Sequence, residues 1–411
     1  MIMIKSVALH DHKGLSISSI IITLLIVFLM IFPKGGVKLE GIPLTFGYIL
    51  FAVVAISATI LNFVQGRLSS LTKPQIAILA AMGCFQCVVS LTLIENGYTD
   101  KGFLIALLIS LFFIPIALIY FLLPQLKKLN LDLLLSLIRL SVSVVSIYGI
   151  CLFIYKTITG DYIEIPFLTV NADDVGFMDE KHNDRGDGIS KLISTYNNGN
   201  IYGVSLLIVL PLFCLIESSL LKRMIVKFSL VLTLSRTVWI GLVVFELLSY
   251  RDLSVKKGTD RLLGLIILGF IIYLCLELMG QKMDFIFDKD LGGRIDQFQQ
   301  FSFSVTSNKT FEWIGEIVPL SMLDQFGLIG LLTFLTYMLM PVIVWFMGLV
   351  PYHRSAYKKS LAMGLLIYCI IMFSDGAISY IPVMMFYWVI VALLLTPNMP
   401  LRYLCAPNVT E

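Results

Sequence analysis

The sequence predicts an all-α polytopic membrane protein with about 12 transmembrane helices and two long outer loops. Three observations carry that expectation. Hydrophobic residues make up 58% of the 411 and charged residues only 14%, whereas a soluble domain is about one quarter charged. The mean hydropathy is +0.91. Apolar runs near the length that crosses a bilayer, roughly 20 residues, recur along the chain. Length alone would permit two or three soluble domains; the hydropathy instead implies one membrane-embedded unit over 1–411.

The runs place spans at about 16–33, 43–63, 74–93, 102–123, 132–156, 199–216, 222–235, 236–250, 262–279, 318–348, 359–376 and 381–397. The first run, Ser16 to Phe32, is followed by Pro-Lys-Gly-Gly rather than a small-residue cleavage pattern, so it is read as a span and not as a removable leader. The stretch RMIVKFSLVLTLSRTVWIGLVVFELLSY is too long for one helix and carries Ser235-Arg236 near its middle. Two short helices meeting there avoid burying an arginine at mid-membrane, which is costly.

Orientation follows the Lys/Arg bias of short loops. With the N-terminus inside, one side collects Lys5, Lys13, Arg67, Lys73, Lys127, Lys128, Lys222, Arg223, Arg251, Lys256, Lys257, Arg261, Arg354, Lys358, Lys359 and Arg402. The short outer loops hold Lys34, Lys38 and Lys101, plus Arg236. Both termini are therefore expected in the cytoplasm. Two outer segments, 157–198 and 280–317, are long, polar and rich in aromatics, and long loops in compact proteins are usually functional or disordered.

No GxGxxG, P-loop, HExxH or GxSxG motif is present. Four histidines, His10, His12, His182 and His353, make a histidine metal site improbable, and no metal or cofactor is expected. Cys84 and Cys87 form a CxxC inside an apolar span and are read as small packing residues.

The candidate site residues lie on the predicted outer side. Arg185, Arg236 and Arg294 are guanidinium groups that stay charged and grip phosphate through two bonds. Glu316 closes the second loop and Asp324 follows in the next apolar run; a carboxyl group entering the membrane is a candidate base. Asp375 is read as a cap for the outer hairpin, Arg139 as an arginine snorkelling to the inner face, and Glu217 and Glu246 as solvated acids at inner helix ends.

These residues resemble a family. LTLSRTVWIGL around Arg236 is similar to the LTxSRxxWxG signature of the O-antigen ligase/polymerase superfamily. Arg185 precedes Asn197-Asn198-Gly199-Asn200, where the family has an Asn-Pro-Asn-like turn; Gly199 replaces the proline. Gly293-Arg294 with Phe298 resembles the motif opening the second outer loop, and Gln325-Phe326-Gly327-Leu328-Ile329-Gly330-Leu331 resembles an ExGLIGL pattern. The resemblance covers about 185–335.

It implies a glycosyltransferase C-like fold and a metal-independent transferase on the periplasmic face of the bacterial inner membrane, acting on undecaprenyl-pyrophosphate-linked oligosaccharide in O-antigen and lipopolysaccharide biosynthesis. Arg185, Arg236 and Arg294 would hold the pyrophosphate, Glu316 or Asp324 would act as base, and Tyr196, Phe298 and Trp313 would stack on sugar rings. A chain-length regulator is a possible membrane partner, besides the lipid bilayer; no nucleic acid is expected. Ligases of the family carry His-Asn where this chain has Glu316-Ile317, which favours a polymerase over a ligase. A flippase or other transporter is the rival of another class. It should place charges at mid-membrane on several helices, whereas here they gather in the two outer loops.

Overall fold

The computed structural model describes residues 17–39, 42–64, 71–126, 130–171, 190–249 and 303–398, with residues 176, 183, 266, 269, 270, 273 and 277. Among the described residues, seven helices are long and apolar enough to cross a membrane. The chain is a polytopic α-helical membrane protein by that length and apolarity.

Helix α1 (Ile17–Ile26) continues as a wider π-turn over Val27–Ile31. A small antiparallel hairpin follows, β1 (Gly36–Leu39) and β2 (Ile42–Thr45). The sequence expects a helix from 43, but Gly35 and Gly36 let the hairpin pack where no side chain fits. A Cβ at Gly35 would lie 2.7 Å from the Leu168 carbonyl oxygen, and one at Gly36 2.3 Å from that of Leu44. Helix α2 therefore begins at Phe46 and runs to Val64.

Helix α3 is Lys73–Asn96. Its start is fixed by Gln75, whose Oε1 accepts the Thr72 backbone N–H at 2.9 Å, the reciprocal bond of a capping box. Helix α4 (Lys101–Leu122) and helix α5 (Leu131–Thr159) complete the first half. Asn130 Oδ1 caps α5 by accepting from the Asp132 and Leu133 amides, and Gly160 ends it at φ 85°, the left-handed stop that glycine supplies at least cost.

Helix α6 (Gly199–Ile216) is the buried centre. Its central window is 83% buried, against 28% for α2, so α2 turns Val53, Ile56, Ile60 and Phe63 outward as a lipid-facing helix would. Helices α7 (Leu220–Val231) and α8 (Arg236–Ser249) follow. At 1.5 Å per residue each is shorter than the roughly 30 Å hydrocarbon core. Helices α9 (Val318–Phe346), α10 (Ala356–Asp375) and α11 (Ile381–Leu395) close the described chain. The span expected at 262–279, the loop segment 280–302 and the C-terminal residues from 399 lie outside the described residues, apart from single positions in the first.

Close packing around α6 rests on small residues, as in many membrane bundles. A Cβ at Gly364 of α10 would lie 2.0 Å from the Ile208 carbonyl oxygen, and one at Gly203 2.2 Å from Val238 Cγ2. The cysteines of the CxxC differ from expectation: Cys84 and Cys87 are both exposed on α3 and face outward rather than packing inside.

Two acids expected to be solvated are buried. Glu246 is 5% exposed and accepts a hydrogen bond from Lys227, an ion pair that braces α8 against α7. Glu217 is 4% exposed and accepts the Ser219 amide at 2.9 Å. That bond lowers its carboxyl below the ordinary value against the opposing effect of burial, with smaller help from Lys222 and Arg139. Arg139 of α5 is thus near enough to Glu217 to act on its charge.

Candidate functional site at one pole of the bundle

The break between α7 and α8 is built from its own residues. Leu234 takes the left-handed backbone conformation at φ 51°, uncommon for a leucine. The Thr233 hydroxyl donates to the Leu230 carbonyl at 2.7 Å. The Trp239 indole donates to the Val231 carbonyl at 3.0 Å, so the tryptophan of the signature ties α8 back to the end of α7. The Leu192 amide reaches the Leu232 carbonyl at 3.0 Å. The turn therefore docks on the segment entering α6. Gly199 makes this possible, since a Cβ there would lie 2.9 Å from the Leu192 carbonyl oxygen and 3.3 Å from that of Thr233. The result is that Arg236, half-buried, heads α8.

Several other helix ends meet at this pole. Asn198 Oδ1 caps α6 through the Asn200 and Ile201 amides. Asn200 Nδ2 then donates to Asp375 Oδ2 at 2.7 Å, joining the start of α6 to the end of α10. Beside them, Ser374 (next to Asp375) and Thr237 (next to Arg236) share a hydrogen bond of 2.8 Å. The Gly376 amide donates to the Glu316 carbonyl at 3.1 Å, bringing in the segment that opens α9. Tyr380 faces both acids; partial burial first, then the Asp375 and Glu316 carboxylates, raise its phenol above the ordinary value. Lys34, from the turn before β1, stands 5.6 Å from the Tyr380 ring centroid.

Of the residues singled out from sequence, Arg236, Glu316 and Asp375 are tied to this pole. Glu316 is exposed there. Asp375 is 4% exposed, and besides ending its helix it binds Asn200. Arg185, Arg294 and Phe298 lie outside the described residues, so the expected meeting of three arginines is described at Arg236 alone. Tyr196 is a correction. It is fully buried, its hydroxyl donates to the Met30 carbonyl at 2.9 Å, and its ring abuts Tyr202 and Phe386. No ring face is left for a sugar.

Trp313 and Asp324 lie together at a second place. They line a cavity of about 340 Å³ with Lys309, Glu312, Ser321 and Gln325. Asp324 Oδ1 accepts from Lys309 Nζ at 2.6 Å, so it is held in an ion pair. The segment 303–316 that carries Lys309 and Trp313 folds down against α9 because α9 is broken. Gly327, in the GLIGL stretch, has φ 71° and ψ −176°. The amides of Leu328 and Ile329 just beyond it bond instead to the Ser304 and Val305 carbonyls, at 2.9 and 3.3 Å. Irregular backbone at membrane depth is tolerated where protein satisfies it in this way.

Sequence reasoning missed Lys34, Asn200, Tyr380 and Lys309. Lys34 carried a signal: it is one of few lysines on the lysine-poor side. Asn200 carried one as well, as the last residue of the Asn197-Asn198-Gly199-Asn200 turn, though no partner for it could be read; Tyr380 carried none that distinguishes it from other interfacial tyrosines. Among the described residues no three His, Cys, Asp or Glu side chains gather as a metal site. Compared with protein-family models and with curated protein sequences, the chain matches none.

Proposed function

We propose that the chain is an O-antigen polymerase. It would transfer a growing glycan from undecaprenyl pyrophosphate onto a lipid-linked repeat unit at the periplasmic face of the inner membrane. The observation that carries the reading is Arg236 at the head of α8, in a helix break lodged among polar helix ends. A helix start adds its own partial positive charge, and its first amides lack partners within the helix. A guanidinium there suits a pyrophosphate tethered in the outer leaflet.

In the proposed reaction the acceptor hydroxyl oxygen attacks the anomeric carbon of the donor glycan. The bond from that carbon to the pyrophosphate oxygen breaks, and the pyrophosphate departs with the electron pair. Negative charge grows on the leaving group, where a fixed cation stabilises the transition state most. Arg236 takes that role, with Arg185 and Arg294 as further clamps and Lys34 nearby. The hydroxyl proton passes to a carboxylate. Glu316 is preferred over Asp324 by position, since its backbone is tied to the helix ends around Arg236.

Twelve spans with both termini in the cytoplasm complete the proposal, together with a chain-length regulator as a membrane partner. Glu316-Ile317 at the His-Asn position favours polymerase over ligase. Deleting the gene separates the two by gel. Surface lipopolysaccharide carrying a single repeat unit supports the polymerase, and lipopolysaccharide with no repeat unit indicates a ligase. Loss of translocated repeat units altogether indicates a flippase.

A further inference from the structure

We propose that the cavity between segment 309–315 and the start of α9 is a pyranose-binding subsite selective for neutral or amino sugars over uronic acids. The choice of ligand rests on the glycan-transfer reading above. The cavity, about 340 Å³, lies near the small end of the range for ligand sites, about 300–1,000 Å³, which suits one or two sugar rings.

Its walls have the two chemistries that a sugar needs. Trp313 is 46% exposed at the cavity, and an exposed indole offers a flat apolar surface to the C–H face of a pyranose. Polar groups share the lining and are held by hydrogen bonds. Gln325 Oε1 accepts the Glu312 amide at 3.0 Å, and its Nε2 donates to Asp324 Oδ2 at 3.3 Å. Ser321 Oγ accepts the Gly315 amide at 2.9 Å, leaving its own hydroxyl hydrogen to donate. The Lys309–Asp324 pair completes this wall. These bonds hold the polar lining before a ligand arrives, which reduces the ordering cost of binding.

Charge sets the selectivity. Lys309 and Asp324 offset one another, while among the described residues the Glu312 carboxylate has no cationic partner. Among the described residues that line the cavity the charges therefore sum to a net negative value. A uronic acid or a phosphate would meet repulsion there, and a neutral or amino sugar would not. The subsite is thus assigned to sugar, and pyrophosphate to the Arg236 pole.

Saturation-transfer NMR on the purified full-length protein in detergent tests this, with methyl glucoside, N-acetylglucosamine and glucuronate as probes. The first two should show transfer that falls at least fivefold in Trp313→Ala and is largely kept in Trp313→Phe. Glucuronate should show little transfer until Glu312→Gln is made. Equal transfer from wild type and Trp313→Ala, no transfer to either neutral probe, or equal transfer to glucuronate would overturn the subsite. Failure of the polymerase reading is seen separately, as a normal surface-glycan ladder after gene deletion, and leaves these binding results standing.

Discussion

Asn200 at the start of α6 and Asp375 at the end of α10 are joined by a 2.7 Å hydrogen bond, and this bond fixes the distance between the two helix ends that flank Arg236. Asp375 is 4% exposed, so its carboxylate is held away from bulk water. Asn200→Ala leaves that acid with one donor fewer. The expected loss is about 1–3 kcal/mol, typical for hydrogen bonds to charged groups. Thermal unfolding in detergent should show a lower midpoint for Asn200→Ala, and Asp375→Asn should be milder because the amide removes the charge.

Gly327 should resist replacement for two reasons. Its φ of 71° is strained for any L side chain, and a Cβ would lie 2.6 Å from the Val305 carbonyl oxygen. Gly327→Ala is expected to destabilise by about 2 kcal/mol or more and to loosen segment 303–311. Hydrogen exchange at the Leu328 and Ile329 amides, which bond to that segment, should speed up. Unchanged exchange would show that the segment docks without the break.

The Lys227–Glu246 pair lies 15% and 6% exposed between α7 and α8. Removing one partner of a buried pair leaves a desolvated charge and costs roughly 3–5 kcal/mol, whereas apolar replacement of both is often neutral. Lys227→Met should therefore lower the melting midpoint more than Lys227→Met with Glu246→Leu. The brace holds the hairpin that presents Arg236, so polymer length should fall and recover in the same order.

Acid should act on the loop between α6 and α7 through Glu217. Its folded-state carboxyl lies below the ordinary value of 4.5, chiefly because the Ser219 amide bonds to it. The stabilisation is present above that ordinary value and is lost as pH falls through the lower folded value. Melting midpoints measured from pH 6 downward should drop less steeply for Glu217→Gln than for wild type.

Much of this architecture could be read from residue order. Long apolar runs with punctuating charges mark the helices because lipid requires both length and apolarity. The α7–α8 break was legible because a run too long for one helix held Ser235-Arg236 at its centre. The Gly327 break was not, since a glycine in an apolar run looks the same whether it packs closely or takes a positive φ. Glu217 and Glu246 read as solvated because their partners, Ser219 and Lys227, are recognised only once the chain has turned. Tyr196 shows the matching limit for aromatics. A tyrosine near an interface has one signature in sequence and two fates, and here it was drawn into the core by Met30 and Tyr202.

The most direct test is the surface-glycan ladder of cells carrying Arg236→Ala or Arg236→Lys at normal protein level. If Arg236 grips pyrophosphate through two bonds, alanine should reduce the ladder to single repeat units. Lysine, which keeps the charge but lacks the fork, should shorten it strongly. A normal ladder in both variants would contradict the account.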